Sequence, residues 1–153
     1  MKASRIAIFA IMLLVSCRPA SYEQFIRADQ APDGEYAFAL DLADSAATYD
    51  LSFYTRIDPA LMAAEQPSGS LGLQVSWFPP AVAAPPAGTD PVTLDTAAIA
   101  ETVYIPYGGK AGSVQLYRSG IKPSPAGEWR LTITPMTPPA GLRGLGIICK
   151  RND

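Results

Sequence analysis

The chain has 153 residues, enough for one domain with a sizeable core, and carries 12 Lys and Arg against 14 Asp and Glu. A mildly acidic balance with scattered cations gives no electrostatic footprint for nucleic acid, nor a basic patch for anionic lipid heads. Histidine is absent, which removes the commonest general base, the commonest zinc ligand and every Ser-His-Asp or Cys-His arrangement.

The first element is a leader. Lys2 and Arg5 supply a positive start, Ile6 to Val15 an apolar run, and Ser16-Cys17 a small-residue end. This is the layout of a secretory signal peptide, and the apolar run is too short to stay in a bilayer as a spanning helix. The end, Leu14-Val15-Ser16-Cys17, resembles the bacterial lipobox, in which a leucine stands three positions before an obligatory cysteine. The cysteine is needed because a thiolate attacks a lipid-borne glycerol to form a stable thioether. Cleavage before Cys17 then frees an amine that can be acylated as well. Each buried methylene adds about 0.8 kcal/mol, and one acyl chain alone holds weakly. Residues 1–16 are therefore expected to be a lipoprotein signal peptide, with Cys17 as the lipid attachment site. Arg18 stands where an aspartate would signal inner-membrane retention, and no acidic cluster follows. The expected address is the outer membrane, lipid-anchored and facing the periplasm.

Residues 17–34 read as the lipidated cysteine with a tether and lead-in, and residues 35–153 as a single folded domain. Within it the period is two. Tyr36, Phe38, Leu40 and Leu42 share one face of "EYAFALDL". In "TYDLSFYTRID", Tyr49, Leu51, Phe53 and Ile57 point one way while Asp50, Ser52, Arg56 and Asp58 point the other. "DPALMAAEQ" from Asp58 is expected to turn helical, because Pro59 suits a first helical position. The alternation returns through Leu71, Leu73, Val75 and Trp77, and again through Trp129, Leu131 and Ile133. "PPAVAAPPAGTDP" is too rich in proline for regular structure and is expected to be an exposed loop. Weaker strands are "PVTLDT", "TVYIPY", "SVQLYR" and "GLGIICK". In the last of these, Cys149 is expected to be a small buried apolar residue. No intrachain disulfide can form once Cys17 carries lipid.

Fifteen prolines and 12 glycines spread along the chain argue against long helices. Alternation with one polar side marks antiparallel sheets that pack one face only. The expected fold is all-β, an antiparallel two-sheet β-sandwich, immunoglobulin-like or jelly-roll-like, with about 7–8 strands.

The order of these segments resembles the GldH family, the gliding-motility-associated lipoproteins of Bacteroidetes. The likeness runs through the lipobox, the "Y-x-x-F" lead-in from Tyr22 to Phe25, "FALDL", "YDLSFYTRID" and "LGLQVSWFPP". It is best in "VQLYRSGIKPSPAGEWRLTITPM" followed by "LRGLGIICK". The chain departs from the pattern between Tyr107 and Ser113, where a glycine-tryptophan loop is usual, and in the proline-rich insertion after Trp77. The resemblance implies a place in gliding or protein-secretion machinery.

Three functions compete. Catalysis without histidine would need a carboxylate pair. Asp41, Asp44, Asp50, Asp58, Asp95, Glu101 and Glu128 all fall on polar strand sides or in turns, where a solvated face is the simpler account. No catalytic residue, metal site or cofactor is expected. A carbohydrate-binding module of the envelope would stack rings on sugars, with Trp77, Phe78, Tyr104, Tyr107 and Tyr117 as candidates. Trp77 and Trp129 are in phase with core positions and are expected inside. Tyr107, ahead of "GGK", is expected to be the exposed ring and the ligand contact. The third function needs only a tethered sandwich with exposed edges or loops. A membrane-anchored, non-enzymatic envelope component that binds other proteins is the expected function, with carbohydrate binding as the alternative.

Overall fold

In the computed structural model, the described residues are 21–61, 68–80, 99–108 and 114–152. The signal peptide, Cys17, the strand expected over 91–96 and nearly all of the proline-rich loop lie outside them. Eight strands are found: β1 (Ser21–Arg27), β2 (Tyr36–Leu42), β3 (Thr48–Ile57), β4 (Ser68–Phe78), β5 (Ile99–Gly108), β6 (Val114–Ile121), β7 (Gly127–Pro135) and β8 (Leu142–Asn152). They form two antiparallel four-stranded sheets, β1-β8-β3-β6 and β2-β7-β4-β5.

The pairing runs from the outside of the chain inwards: β1 with β8, β2 with β7, β3 with β6 and β4 with β5. This is the order of a jelly roll, a single antiparallel ribbon wound so that its successive strand pairs alternate between two sheets. The sandwich expectation is met, and of its two forms the jelly roll is the one adopted.

Alternation holds along most strands; β3 departs near its end, where Tyr54 and Thr55 are buried and Ile57, expected inward, is only partly covered beyond a register shift after Arg56. Along β2 the pattern is strictly buried and exposed by turns, with Tyr36, Phe38, Leu40 and Leu42 inward. Leu51 and Phe53 of β3, Leu71, Leu73 and Val75 of β4, Leu131 and Ile133 of β7, and Leu145, Ile147 and Cys149 of β8 complete the core. Each such leucine or isoleucine contributes roughly 1.5–3 kcal/mol by leaving water.

Two expectations are corrected, and one falls mostly outside the described residues. First, the sandwich starts before residue 34. Ser21–Arg27 is an edge strand whose Tyr22 stands opposite Cys149 and whose Ile26 stands opposite Leu145. Its alternation is blunted because Phe25, on the outer face, also packs: its ring stacks on that of Tyr54 at 5.8 Å. Tyr54 in turn lies across Gly146, where any side chain would occupy the space of its ring. Second, the described part of the segment expected to turn helical is a short 3-10 turn, Pro59–Leu61, beginning at the proline; the rest of that segment lies outside the described residues. Third, Trp129 is only half-buried. It sits two residues into β7, opposite Leu40, at the end of the sheet, where the facing sheet gives incomplete cover.

Candidate functional site: an aromatic cleft and an open flank

The two flanks of the sandwich are built differently. On one, β1 lies over β2, and its side chains seal the neighbouring backbone edge. The Gln24 amide donates to the carbonyl of Ala39 at 2.6 Å, and the Asp41 N–H donates to the Tyr22 hydroxyl at 3.1 Å. Burial pushes the Tyr22 phenol well above its usual range, so this hydroxyl stays neutral. Burial likewise raises the thiol of the adjacent Cys149, which suits a packed residue and not a nucleophile.

On the other flank β6 lies over β5, and there the seal is made by side chains alone. Tyr117 of β6 stacks on Phe53 at 4.4 Å and accepts a hydrogen bond from Trp77 Nε1 at 2.9 Å. Its own hydroxyl donates to Glu101 of β5. Glu101 reaches it because the strand register puts Glu101 opposite Val75, on the inward-facing side of the edge strand. The Arg118 guanidinium pairs with the same carboxylate oxygen at 2.7 Å and lies over the rings of Trp77 and Tyr117. Burial first, then the hydrogen bond to Glu101, pushes the Tyr117 phenol up to about 12.

This cluster forms one wall of a cleft of about 180 Å³ at the end of the sandwich. Trp77 and Trp129 meet edge to face at 6.2 Å, and Leu42, Ile99, Ile121, Lys122, Pro123 and Ser124 complete the lining with Arg118. Both indole N–H groups are already used. Trp77 donates to Tyr117, and Trp129 donates to the carbonyl of Pro125 at 2.9 Å. What the cleft offers is therefore ring faces and aliphatic groups, with cations at its rim. A second cavity of about 410 Å³ lies at the opposite end, between Asp33, Tyr36, Pro135, Pro138 and Leu142.

Of the rings singled out in sequence, Trp77 and Tyr117 come together here. Phe78 is elsewhere, half-buried beneath Arg130 at 4.4 Å. Tyr107, expected as an exposed ring, is a correction in its exposure. It is half-buried, packs against the core and lies across Gly69, its cross-strand partner. The signal was present in "TVYIPY": Val103, Ile105 and Tyr107 share one phase, and Ile105 is core. The exposed ring is Tyr104, in the opposite phase, 65% exposed and lying over Gly72. Arg118, Lys122 and the half-exposed Trp129 carried no local signal, because only the winding of the ribbon brings them together.

The carboxylates considered for catalysis are dispersed among separate partners. Asp58 pairs with Arg143 at 2.5 Å, Asp44 with Arg151 at 3.8 Å, and Asp50 accepts from the Gly120 N–H at 2.9 Å. Asp95 lies outside the described residues. Among the described residues no group of three or more His, Cys, Asp or Glu is placed to hold a metal ion. Comparison of the chain with family models, with curated proteins and with solved structures gives no match.

Proposed function

We propose that this protein is a membrane-anchored, non-enzymatic lipoprotein of the cell envelope that binds another protein along its β5/β6 flank. One observation carries the binding role. Of the large apolar side chains exposed among the described residues, Ile99, Tyr104, Val114 and Leu116 all belong to these two edge strands, each 54% exposed or more. No side chain among the described residues bonds the backbone of β5, and on β6 only Gly120 is bonded in this way, by Asp50 of the neighbouring strand. Edge strands left open and apolar accept an extended segment of a partner, which gains backbone hydrogen bonds and side-chain pockets together. Pro106 interrupts part of the β5 edge, leaving β6 the better template.

Anchoring is supported by the Leu14-Val15-Ser16-Cys17 sequence, and a role in gliding or secretion-type machinery by the resemblance to the gliding-motility lipoproteins alone. The carbohydrate alternative has weaker support, since the half-buried Tyr107 and the internally bonded indoles leave few polar groups to meet sugar hydroxyls. Two experiments test the proposal. Replacing Cys17 by Ser should abolish fatty-acid labelling, and persistent labelling overturns the anchor. A photo-crosslinker at Leu116 should capture one envelope protein that the Leu116→Lys variant, equally stable, no longer co-purifies. Equal recovery with both proteins would reject the flank.

A further inference from the structure

The strand that follows the expected lipid site starts almost at once. Only Arg18, Pro19 and Ala20 separate Cys17 from Ser21, the first residue of β1. At 3.3–3.6 Å per residue the connection spans at most about 14 Å, whereas an eleven-residue strand such as β8 is roughly 36 Å long. The start of β1 must therefore stay near the bilayer, and the opposite end of the sandwich cannot replace it there.

The strand registers identify what else lies at that end. Ser21 stands opposite Lys150, Thr48 opposite Asn152, and Tyr49 opposite Ile121. In the second sheet Leu42 stands opposite Gly127, Phe78 opposite Arg130, and Trp77 opposite Ile99. The short connection from Leu42 to Thr48 joins the two sheets at this same end, and the Arg151–Asp44 pair spans it. Every residue lining the aromatic cleft belongs to this end.

We infer that the cleft end of the sandwich rests on the phospholipid surface, with Trp129 and Ile99 among the lipid head groups. The orientation depends on the anchoring at Cys17 proposed above and adds a direction to it. The chemistry of the end suits the site. An indole, a 57% exposed isoleucine and the exposed Lys122 form the mixture of amphipathic ring, aliphatic group and cation that partitions to a membrane interface. Exposed charges of both signs lie at this end, Lys122 and Lys150 with Asp41 and Glu128. The contact is thus apolar and interfacial, and does not call for anionic lipid. Ile99 is then taken up by the membrane, and the rest of the β5/β6 flank, with Tyr104, Val114 and Leu116, stands up from it, open to a partner.

The test uses the full chain, purified with its lipid, in vesicles of phosphatidylethanolamine with or without phosphatidylglycerol. Mass measurement of the Cys17 peptide first reports acylation. Tryptophan emission is then read against lipid bearing a nitroxide on its head group, for the parent, for Trp129→Phe, and for Trp129→Phe combined with Leu61→Trp. Leu61 is exposed at the far end, next to Gly141. The Trp129 share of the emission should be largely lost on nitroxide lipid, with or without phosphatidylglycerol, and the emission added by Leu61→Trp should persist. Acylated protein whose Trp129 emission is unaffected overturns the orientation alone. So does quenching of Leu61→Trp equal to that of Trp129. An unmodified Cys17 removes the anchor and the orientation with it.

Discussion

Trp77 Nε1 donates to the Tyr117 hydroxyl across the gap between the two sheets, 2.9 Å away. Trp77 belongs to β4 and Tyr117 to β6, so this bond and the one from Tyr117 to Glu101 close a flank that backbone pairing leaves open. Tyr117→Phe keeps the ring on Phe53 but strands the Trp77 N–H and leaves Glu101 to Arg118 alone. A loss of about 1–3 kcal/mol is expected from the unsatisfied group, measured as a shift in the urea midpoint. A change below a few tenths of a kcal/mol would mean that water replaces the hydroxyl without penalty.

The two tryptophans should differ. Trp77 is 5% exposed and touches Tyr117 and Trp129, so Trp77→Ala should lose about 3–5 kcal/mol, because its neighbours refill the void only in part. Trp129, only partly covered at the sheet end, should lose roughly 1–2 kcal/mol on the same truncation. Equal losses would place both rings in the core.

Tyr107→Ala is a direct check on the phase of β5. The ring covers Gly69 on the paired strand, a position with no side chain to shield its own backbone. Its removal should destabilise the fold by about 1–2 kcal/mol, well above the roughly 0.5 kcal/mol of an exposed loop ring. Tyr104→Ala, on the outer face, serves as the comparison and should stay near that smaller value.

Stability should fall in alkali. Burial, followed by a carboxylate hydrogen bond, pushes the phenols of Tyr54 and Tyr117 up to about 12 from the ordinary 10.0. The folded state thus favours the protonated phenol. Its contribution is fully present below pH 10 and is lost as the pH rises from there through the folded value. Denaturant midpoints between pH 9 and 12, read beside phenolate absorbance, should decline across this window. Tyr54→Phe with Tyr117→Phe should flatten the decline, and an unchanged slope would assign it to other groups.

Much of the fold was legible because a strand's period is local. Phe38 and Leu40, or Leu73 and Val75, announce their face through the residues beside them, and burial follows wherever a second sheet supplies a lid. Outer-face packing was not legible in the same way. Tyr54 reads as polar-side by phase, yet it is buried, because Gly146 on β8, the strand between β1 and β3, leaves room for its ring and Phe25 of β1 stacks on it. The cleft was legible only in its parts: two tryptophans, an arginine and a lysine with no spacing that links them.

The composition and the alternation by themselves determined an all-β chain, two sheets with one packed face each, and the inward residues of β2, β3, β4 and β8. The tertiary structure alone decided that β1 pairs with β8 across almost the whole chain, that Trp129 stands at an uncovered end, and that Tyr107 faces in. Side-chain period states which way a residue points and never which strand lies beside it. Closing a loop becomes only slowly harder as the loop lengthens, so spacing cannot choose between a neighbouring partner and one more than a hundred residues away. That choice falls to the packing of the whole ribbon, which also sets where each strand ends, and hence which rings are left at the rim.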